Sequence, residues 1–210
     1  MIAIRPDDSA APPDVWLYCL RNLDKVEGLN LLTVRKPSHR GRGVLSIYKQ
    51  QLSALKSIKD RYAFNVENDV LYHPDRFDFV PPKDDVFYYQ TNLYELTPFG
   101  YLKHSGMAYS QVVANCGFWR NHLISRLEAV ESDWKLAFAE PGRGDPPDSK
   151  VKWEGYKTQY PDVGVRHGRN CSGSRDPGRA GRTIDMYVAE IPYWGHYTKL
   201  LKAMGIEQAV

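Results

Sequence analysis

The sequence predicts a single α/β domain in which a mostly parallel sheet carries helices on both faces. Its 210 residues are enough for one complete hydrophobic core, and this length favours one domain over two. Strand-like and helix-like segments alternate along the first third of the chain, which is the pattern of parallel βαβ units. We find no internal repeat and no apolar run as long as a membrane span.

The first five elements form a β-α-β-α-β series. Short apolar segments predict strands at residues 1–4, 29–34 and 62–66. A helix is predicted over residues 14–23, with Asp14 as the expected N-cap because it follows two prolines. A second helix is predicted over residues 44–59, where apolar residues recur at helical spacing at Leu45, Tyr48, Leu52, Leu55 and Ile58.

The second part of the chain has a less regular pattern. Strands are predicted within residues 85–96, 106–110 and 162–165, the last at a sheet edge, and a helix over 114–130. Residues 140–149 are rich in Pro and Gly, so we expect a surface loop there. The aromatic residues between Tyr187 and Tyr197 predict that the C-terminal tail packs on the body of the protein.

Composition and charge are typical of a soluble protein that can bind an anion. Hydrophobic residues make up 42% of the chain and charged residues 25%. The net charge of +3 permits an anionic partner such as a nucleotide or a DNA phosphate. The three cysteines are far apart and lack zinc-site spacing, and no signal-peptide core follows Met1. We therefore expect free thiols in a reducing compartment, and a cytoplasmic location.

Two acids follow directly after the third predicted strand. Glu67 and Asp69 come one residue apart where the apolar run 62–66 ends. In an open α/β sheet, ligands bind beyond the carboxyl ends of the strands. Magnesium and manganese take one or two carboxylates and share their other positions with phosphates and water. The pair is therefore a candidate metal site; the alternative is two solvated acids on a turn.

A second polar segment, residues 166–175, combines three arginines, a histidine and two glycines. The glycines let backbone N–H groups approach a diphosphate, and guanidinium groups bind phosphate oxygens as planar forks. His167 can complete the coordination of the same cation. The alternatives are a solvated loop and a surface histidine.

The run from Glu67 to Tyr89 resembles a group of small bacterial and phage glycosyltransferases of GT-A type. In that group the acidic turn usually reads Glu-His-Asp, and here Asn68 replaces the histidine. A His-Gly-x-Asn segment of the group is matched at residues 167–170, and its Glu-Pro-Gly at residues 140–142. The chain also resembles the TET-associated glycosyltransferases, a phage branch thought to modify hydroxymethylated pyrimidines in DNA. A phage-encoded chain would act in the cytoplasm of a bacterial host.

The resemblance implies a GT-A-like (Rossmann-like) fold that binds a nucleotide-sugar, with a UDP-sugar favoured, and a divalent metal, Mn²⁺ or Mg²⁺. Residues 1–95 would hold the donor and the metal, and residues 96–210 the acceptor. Asp69 would be the main metal ligand, Glu67 would act directly or through water, and His167 would be a later ligand. The donor and its phosphates would be contacted by Asn68, Lys49, Gln50, Arg169, Asn170, Ser172 and Arg175.

A reaction that inverts the anomeric centre also needs a carboxylate to accept the proton of the acceptor. Glu140 is the candidate for this base, and a solvated loop acid is the alternative. A retaining reaction needs no such base, and the sequence leaves both stereochemical courses open.

The favoured acceptor is a 5-hydroxymethylpyrimidine in DNA. The chain is net basic and carries arginines in Gly-rich loops that can follow phosphates, namely Arg40, Arg42, Arg179 and Arg182. The modified base would have to leave the stack to reach the donor. A surface glycan or a lipid-linked acceptor is the alternative, and it needs no basic groove. A second alternative is a non-catalytic protein that binds nucleic acid or phosphate through the same arginines.

Overall fold

The predicted β-α-β-α-β series is present, with boundaries close to the predicted ones. The computed structural model describes residues 1–6, 11–34, 44–104, 108–132, 151–167 and 183–207. Its first elements are β1 (Ile2–Pro6), α1 (Pro13–Leu23), β2 (Asn30–Val34), α2 (Val44–Ser57) and β3 (Tyr62–Asn65). The apolar character of these segments was sufficient to locate them.

The middle of the chain contributes most of the remaining strands. These elements are β4 (Val70–Leu71), β5 (Val86–Gln90), β6 (Leu93–Thr97), β7 (Gly100–Lys103), β8 (Val112–Asn115), α3 (Cys116–Ser132), β9 (Lys152–Tyr156) and β10 (Asp162–Val165). The C-terminal elements are β11 (Tyr187–Val188), β12 (Glu190–Ile191), β13 (Gly195–His196) and α4 (Tyr197–Ala203). Short 3₁₀ turns lie at Pro74–Asp78, Tyr109–Gln111 and Ile184–Met186.

The larger sheet has the strand order β2-β1-β3-β8-β5-β9. Strand β1 is parallel to β2 and β3, and β5 is parallel to β9, whereas β8 is antiparallel to both of its neighbours. The predicted mostly parallel α/β sheet is therefore confirmed. The parallel register pairs Ile4 with Asn65, so that β1 and β3 end side by side at one edge of the sheet.

Helices cover both faces of this sheet. On one face, α2 and α3 pack on Ile4, Ala63, Phe87 and other apolar residues of the strands. On the other face, the end of α1 and the turn after it supply Leu23 and Val26. No helix in the described part of the chain is long and apolar enough to span a membrane.

The smaller sheet has the order β11-β7-β6-β10-β4. The prediction of an edge strand at residues 162–165 is wrong, because β10 lies between β6 and β4. Three of its four residues are buried, as an internal position requires. Helices α1 and α4 pack on this sheet through Val15, Cys19 and Leu201, which confirms that the C-terminal tail packs on the body.

Two local predictions need correction. Pro12 holds the N-cap position of α1 without a side-chain cap, and Asp14 lies in the first turn, where its negative charge still favours the helix dipole. Of the strand predicted at residues 106–110, residues 106 and 107 lie outside the described residues, and Tyr109–Gln111 forms a 3₁₀ turn that leads into β8. Helix α3 then begins later than predicted and is capped by Asn115, whose Oδ1 accepts hydrogen bonds from the N–H groups of Gly117 and Phe118.

The predicted loop at residues 140–149 lies outside the described residues. Among the cysteines, Cys19 and Cys116 are buried free thiols, as predicted. Burial raises the pKa of both thiols, to about 12 for Cys116, so both remain protonated at neutral pH.

Candidate functional site

Asp69 and His167 come from distant parts of the chain and meet in the structure. The Nε2 atom of His167 lies 3.4 Å from Oδ2 of Asp69. The His167 side chain is 1% exposed and the Asp69 side chain is 24% exposed, so that the carboxylate faces solvent while the imidazole is covered. The two residues predicted to share one cation are therefore neighbours.

The pairing of β4 with β10 explains this approach. These strands are antiparallel, with Val70 opposite Gly164 and Leu71 opposite Val163. The ladder continues past the strand ends, because the N–H of Val165 donates to the carbonyl oxygen of Asp69 at 2.7 Å. The residue just before β4 is thus held against the residues that follow β10. Register alone brings the acidic turn to His167.

The pair fits a divalent cation that keeps positions for phosphate and water. Two ligands at ordinary Mg²⁺ distances and at a right angle lie about 3 Å apart, close to the observed separation of Asp69 and His167. Within the described residues, no group of three or more His, Cys, Asp and Glu side chains is placed to hold a metal. Glu67, which is half-buried, therefore does not complete a three-ligand cluster with this pair, and its role through water stays a prediction.

Tyr72 fixes the start of the acidic turn. Its hydroxyl accepts a hydrogen bond from the N–H of Glu67 at 2.8 Å and donates to the carbonyl of Ser110 at 3.3 Å. Its own N–H donates to Oδ1 of Asn22 in α1 at 2.8 Å. Burial raises the pKa of the Tyr72 phenol well above its usual value, which keeps the hydroxyl proton in place.

Arg76 lies behind the turn and ties the two sheets together. Its guanidinium is 0% exposed and donates to Oδ2 of Asp162 at 3.0 Å and to the carbonyl of Asn65 at 2.9 Å. It also donates to Oε1 of Gln111 and to the carbonyl of Ser110. Asp162 begins β10 and Asn65 ends β3. The Arg76 side chain therefore links the strand that leads to Asp69 with the strand that leads to His167.

Asp162 is fully buried in this network. Burial raises its pKa to about 6, although Arg76 and the N–H of His73 act in the opposite direction. The carboxylate is therefore still mainly ionised at neutral pH, as its pairing with Arg76 requires.

Three further residues were predicted to contact the nucleotide-sugar donor: Lys49 and Gln50 lie on α2, and Asn68 lies in the acidic turn. Lys49 is exposed, whereas Gln50 is buried and donates from Nε2 to the hydroxyl of Ser46 at 3.1 Å. Asn68 is 7% exposed between the two acids. The other predicted site residues lie outside the described residues: Glu140, Arg169, Asn170, Ser172, Arg175, Arg40, Arg42, Arg179 and Arg182.

Arg166 departs from the diphosphate role expected of this arginine-rich segment. Its Nη2 donates to Oε1 of the buried Glu95 at 2.6 Å, and Nδ1 of His104 lies 3.0 Å from the same oxygen. The backbone N–H of Arg166 bonds to the carbonyl of Leu96. Arg166 thus anchors the chain just before His167, and no local sequence pattern indicates its partner on β6.

Sequence reasoning also missed a polar group where β1 and β3 end. Nε2 of Gln51 donates to Oδ1 of Asn65 at 2.7 Å, and both side chains are buried. Arg5, at the end of β1, is 8% exposed and lies over the ring of Trp16 at 5.7 Å. The signal was present in the sequence, because Arg5 directly follows the apolar run that predicts β1. The Gln51–Asn65 hydrogen bond thus ties α2 to the end of β3.

An aromatic cluster lies at the other end of the β4–β10 ladder. The ring of Tyr193 packs at 4.2 Å on His73 and at 5.7 Å on Tyr160. Tyr193 is 57% exposed and has φ of 71°, a left-handed conformation that a bulky residue adopts only under constraint. The indole N–H of Trp194 donates to the carbonyl of Pro161 and fixes the neighbouring ring. The cluster presents rigid aromatic surface to solvent.

Comparisons with known proteins gave matches only among solved structures. No family model matches the sequence, and no curated protein matches it. One similar structure is a glycosyltransferase involved in the glycosylation of the major capsid of PBCV-1, at 11% identity and a TM-score of 0.45, covering 80% of this chain and 96% of that one. Another is the glycosyltransferase GlyE of Streptococcus pneumoniae TIGR4, at 11% identity and a TM-score of 0.44, covering 75% of this chain and 45% of that one.

A third similar structure is the galactosyltransferase LgtC in complex with donor and acceptor sugar analogues. It has 12% identity and a TM-score of 0.41, and the match covers 65% of this chain and 66% of that one. All three TM-scores lie below 0.5.

Proposed function

We propose that the protein is a metal-dependent glycosyltransferase of GT-A type, which moves a sugar from a nucleotide-diphosphate-sugar to a hydroxyl acceptor. The observation that carries the proposal is the 3.4 Å approach of Asp69, in the turn after β3, to His167, just after β10. A carboxylate and an imidazole that converge beyond the carboxyl ends of two strands suit a cation-bound diphosphate. The resemblance of residues 67–89 to GT-A glycosyltransferases supports the same chemistry.

The reaction exchanges one bond at the anomeric carbon for another. The acceptor hydroxyl oxygen forms a bond to this carbon, the bond from the carbon to the phosphate oxygen breaks, and the nucleoside diphosphate leaves with the electron pair. The hydroxyl proton passes to a base or to the departing diphosphate. A divalent cation would supply charge neutralisation for the diphosphate.

The protein's own residues orient the reactants around this centre. Asp69 and His167 would hold the cation, and Asp69 is the more exposed member of the pair. Asn68 would contact the donor from the same turn. Glu140 is our candidate for the base in an inverting reaction.

Release of nucleoside diphosphate tests this function most directly. The purified protein should hydrolyse or transfer one member of a panel of UDP-, GDP- and other activated sugars in the presence of Mn²⁺. Excess EDTA should abolish the reaction, and added Mn²⁺ should restore it. Turnover that persists in EDTA would contradict the metal-dependent mechanism. Phosphate or DNA binding with no turnover of any donor would favour the non-catalytic alternative.

For the acceptor we propose a 5-hydroxymethylpyrimidine in DNA. The net charge of +3 and the resemblance to TET-associated glycosyltransferases support this choice. Binding to duplex DNA should then weaken steeply as salt rises, because each phosphate contact releases counterions. Sugar should be transferred to DNA that contains 5-hydroxymethylcytosine and not to the same duplex with cytosine.

A glycan acceptor is the second candidate, and the exposed aromatic cluster favours it. Rigid rings such as Tyr193 and Tyr160 offer large contact area at low entropic cost, which suits the apolar face of a sugar. Lack of DNA binding at low salt, together with transfer to an oligosaccharide, would favour this acceptor over DNA.

A further inference from the structure

We infer that Tyr72 is a positioning residue of the metal site, which sets the geometry of the acidic turn toward His167. The inference rests on the proposed function, because it assigns a role to a residue that supports the proposed metal ligands. Tyr72 follows β4 directly, so it lies across the turn from Glu67. Its hydroxyl bonds to the backbone N–H of Glu67 and closes the turn as a loop.

The turn is held from both ends by bonds of different kinds. At its start, the Tyr72 hydroxyl holds Glu67 at 2.8 Å. At its end, the carbonyl of Asp69 accepts from the N–H of Val165 at 2.7 Å. The second bond belongs to the strand ladder and involves only backbone atoms, whereas the first depends on one side-chain oxygen. Tyr72 is thus the contact at which a substitution can loosen the turn without disturbing the ladder.

The Tyr72 ring is itself fixed on several sides. Its hydroxyl donates to the carbonyl of Ser110, and the guanidinium of Arg76 lies over the ring at 4.7 Å. Arg76 also donates to the carbonyl of Ser110, so the two side chains share one acceptor. The backbone N–H of Tyr72 bonds to Asn22. A ring held in this way gives the Tyr72 hydroxyl a fixed position from which it holds the acidic turn.

This arrangement matches what supporting residues do at metal sites. Groups that orient ligands are typically worth about 10- to 100-fold in metal affinity when they are removed. Tyr72→Phe deletes only the hydroxyl and keeps the ring beneath Arg76. The variant should therefore fold while the turn that carries Asp69 loses the bond that fixes its start at Glu67.

Tyr101→Phe is the matched control. Tyr101 is also 0% exposed, but it lies on β7, and no hydrogen bond of its hydroxyl to the acidic turn is seen among the described residues. Both variants remove one buried hydroxyl from the interior. A general effect of losing such a group would appear in both, whereas loss of positioning would appear in Tyr72→Phe alone.

The experiment is a titration with Mn²⁺ alone, followed through the electron paramagnetic resonance signal of the free ion. Wild type and Tyr101→Phe should bind with the same affinity, and Tyr72→Phe should bind about 10- to 100-fold more weakly. Asn22→Ala removes the acceptor of the Tyr72 N–H and should weaken Mn²⁺ binding by a smaller factor. It tests the same positioning with the phenol intact, should Tyr72→Phe fail to fold.

The outcomes separate this inference from the function on which it rests. If wild type binds Mn²⁺ and neither Tyr72→Phe nor Asn22→Ala differs from Tyr101→Phe, the positioning role is overturned and the metal site stands. Wild type that binds no Mn²⁺ would contradict the proposed metal-dependent function, and the inference would fall with it. Circular dichroism of every variant confirms that folded proteins are compared.

Discussion

The molecule contains two pairs in which an aspartate lies beside a nitrogen-bearing side chain, Arg76–Asp162 and Asp69–His167. The two pairs differ in how far solvent reaches the carboxylate. Arg76 and Asp162 are both 0% exposed, and their polar atoms bond to backbone and side chains of both sheets. Asp69 and His167 lie at the opposite end of the β4–β10 ladder, where His167 is 1% exposed but Asp69 is 24% exposed. One carboxylate is sealed inside the protein, and the other reaches the surface at the edge of the sheet.

This difference in exposure suggests that one pair serves the stability of the fold and the other serves ligand binding. A buried charge must have its hydrogen bonds completed by the protein, since it has no water to replace them. Asp162 meets this condition and so fixes β10 to the rest of the fold. Asp69 retains access to solvent, which a group that binds an exchangeable ligand requires. The sealed pair, Arg76 and Asp162, should therefore control unfolding. The accessible pair, Asp69 and His167, whose carboxylate is partly exposed, should control activity.

The largest expected effect is on stability, from the sealed pair. Arg76→Ala leaves Asp162 buried without its partner and should lower the free energy of unfolding by about 3–5 kcal/mol. Urea unfolding followed by circular dichroism measures this loss. Arg61→Ala, which removes an exposed ion pair with Asp84, is the control and should leave the free energy of unfolding nearly unchanged, because solvent screens such a pair. Equal losses in the two variants would show that the buried network is not what holds the sheets together.

The second effect is on activity, from the accessible pair. Asp69→Ala should lower kcat/KM for sugar transfer by at least about 100-fold, because electrostatic stabilisation of the leaving group is lost. Its unfolding midpoint should stay close to that of wild type, since the carboxylate is partly solvated. Asp78→Ala removes another exposed acid and should leave both quantities unchanged. An active Asp69→Ala variant would remove Asp69 from the site.

The pH dependence of stability sharpens the description of the sealed pair. The pKa of Asp162 is raised from 3.8 to about 6, so the folded protein binds more protons than the unfolded chain between these values. This group alone should then make the free energy of unfolding fall as pH rises through that window, by at most about 3 kcal/mol. Unfolding of wild type and Asp162→Asn across pH 4–7 isolates the contribution. An identical pH profile for the two proteins would contradict the raised pKa.

The smallest effect concerns the second member of the accessible pair. His167→Ala should raise the Mn²⁺ concentration required for half-maximal activity by about 10-fold, because one ligand is lost while Asp69 remains. His196→Ala, which alters a histidine at the start of α4, provides the control. A metal titration that is the same for wild type and His167→Ala would exclude His167 as a ligand.

Particular residues show how far the sequence could lead. The apolar run from Tyr62 and the acids after it were sufficient to predict β3 and the candidate turn, because burial and charge change abruptly there. The aromatic tail was likewise predicted to pack on the body. Strand β4, in contrast, has only two residues and no periodicity to detect, so its pairing with β10 was missed and β10 was assigned to an edge.

The supporting polar network could not be read from sequence either. Arg76 stands in an ordinary polar turn, and nothing in its neighbours indicates bonds to Asn65 and Asp162. Glu95 is an acid within an apolar strand, and its partner Arg166 becomes evident only when β6 and β10 lie side by side. These contacts join segments that are far apart in the chain, and local pattern carries no information about such partners.

The sequence by itself determined the order of helices and strands, the acidic turn at the end of β3 and the presence of a histidine suited to the same cation. These features follow from local composition, because burial and backbone preference act over a few neighbouring residues. Only the tertiary structure decided that Asp69 and His167 lie 3.4 Å apart. It also decided which carboxylate is sealed, since strand register and the packing of two sheets are set by contacts over the whole chain.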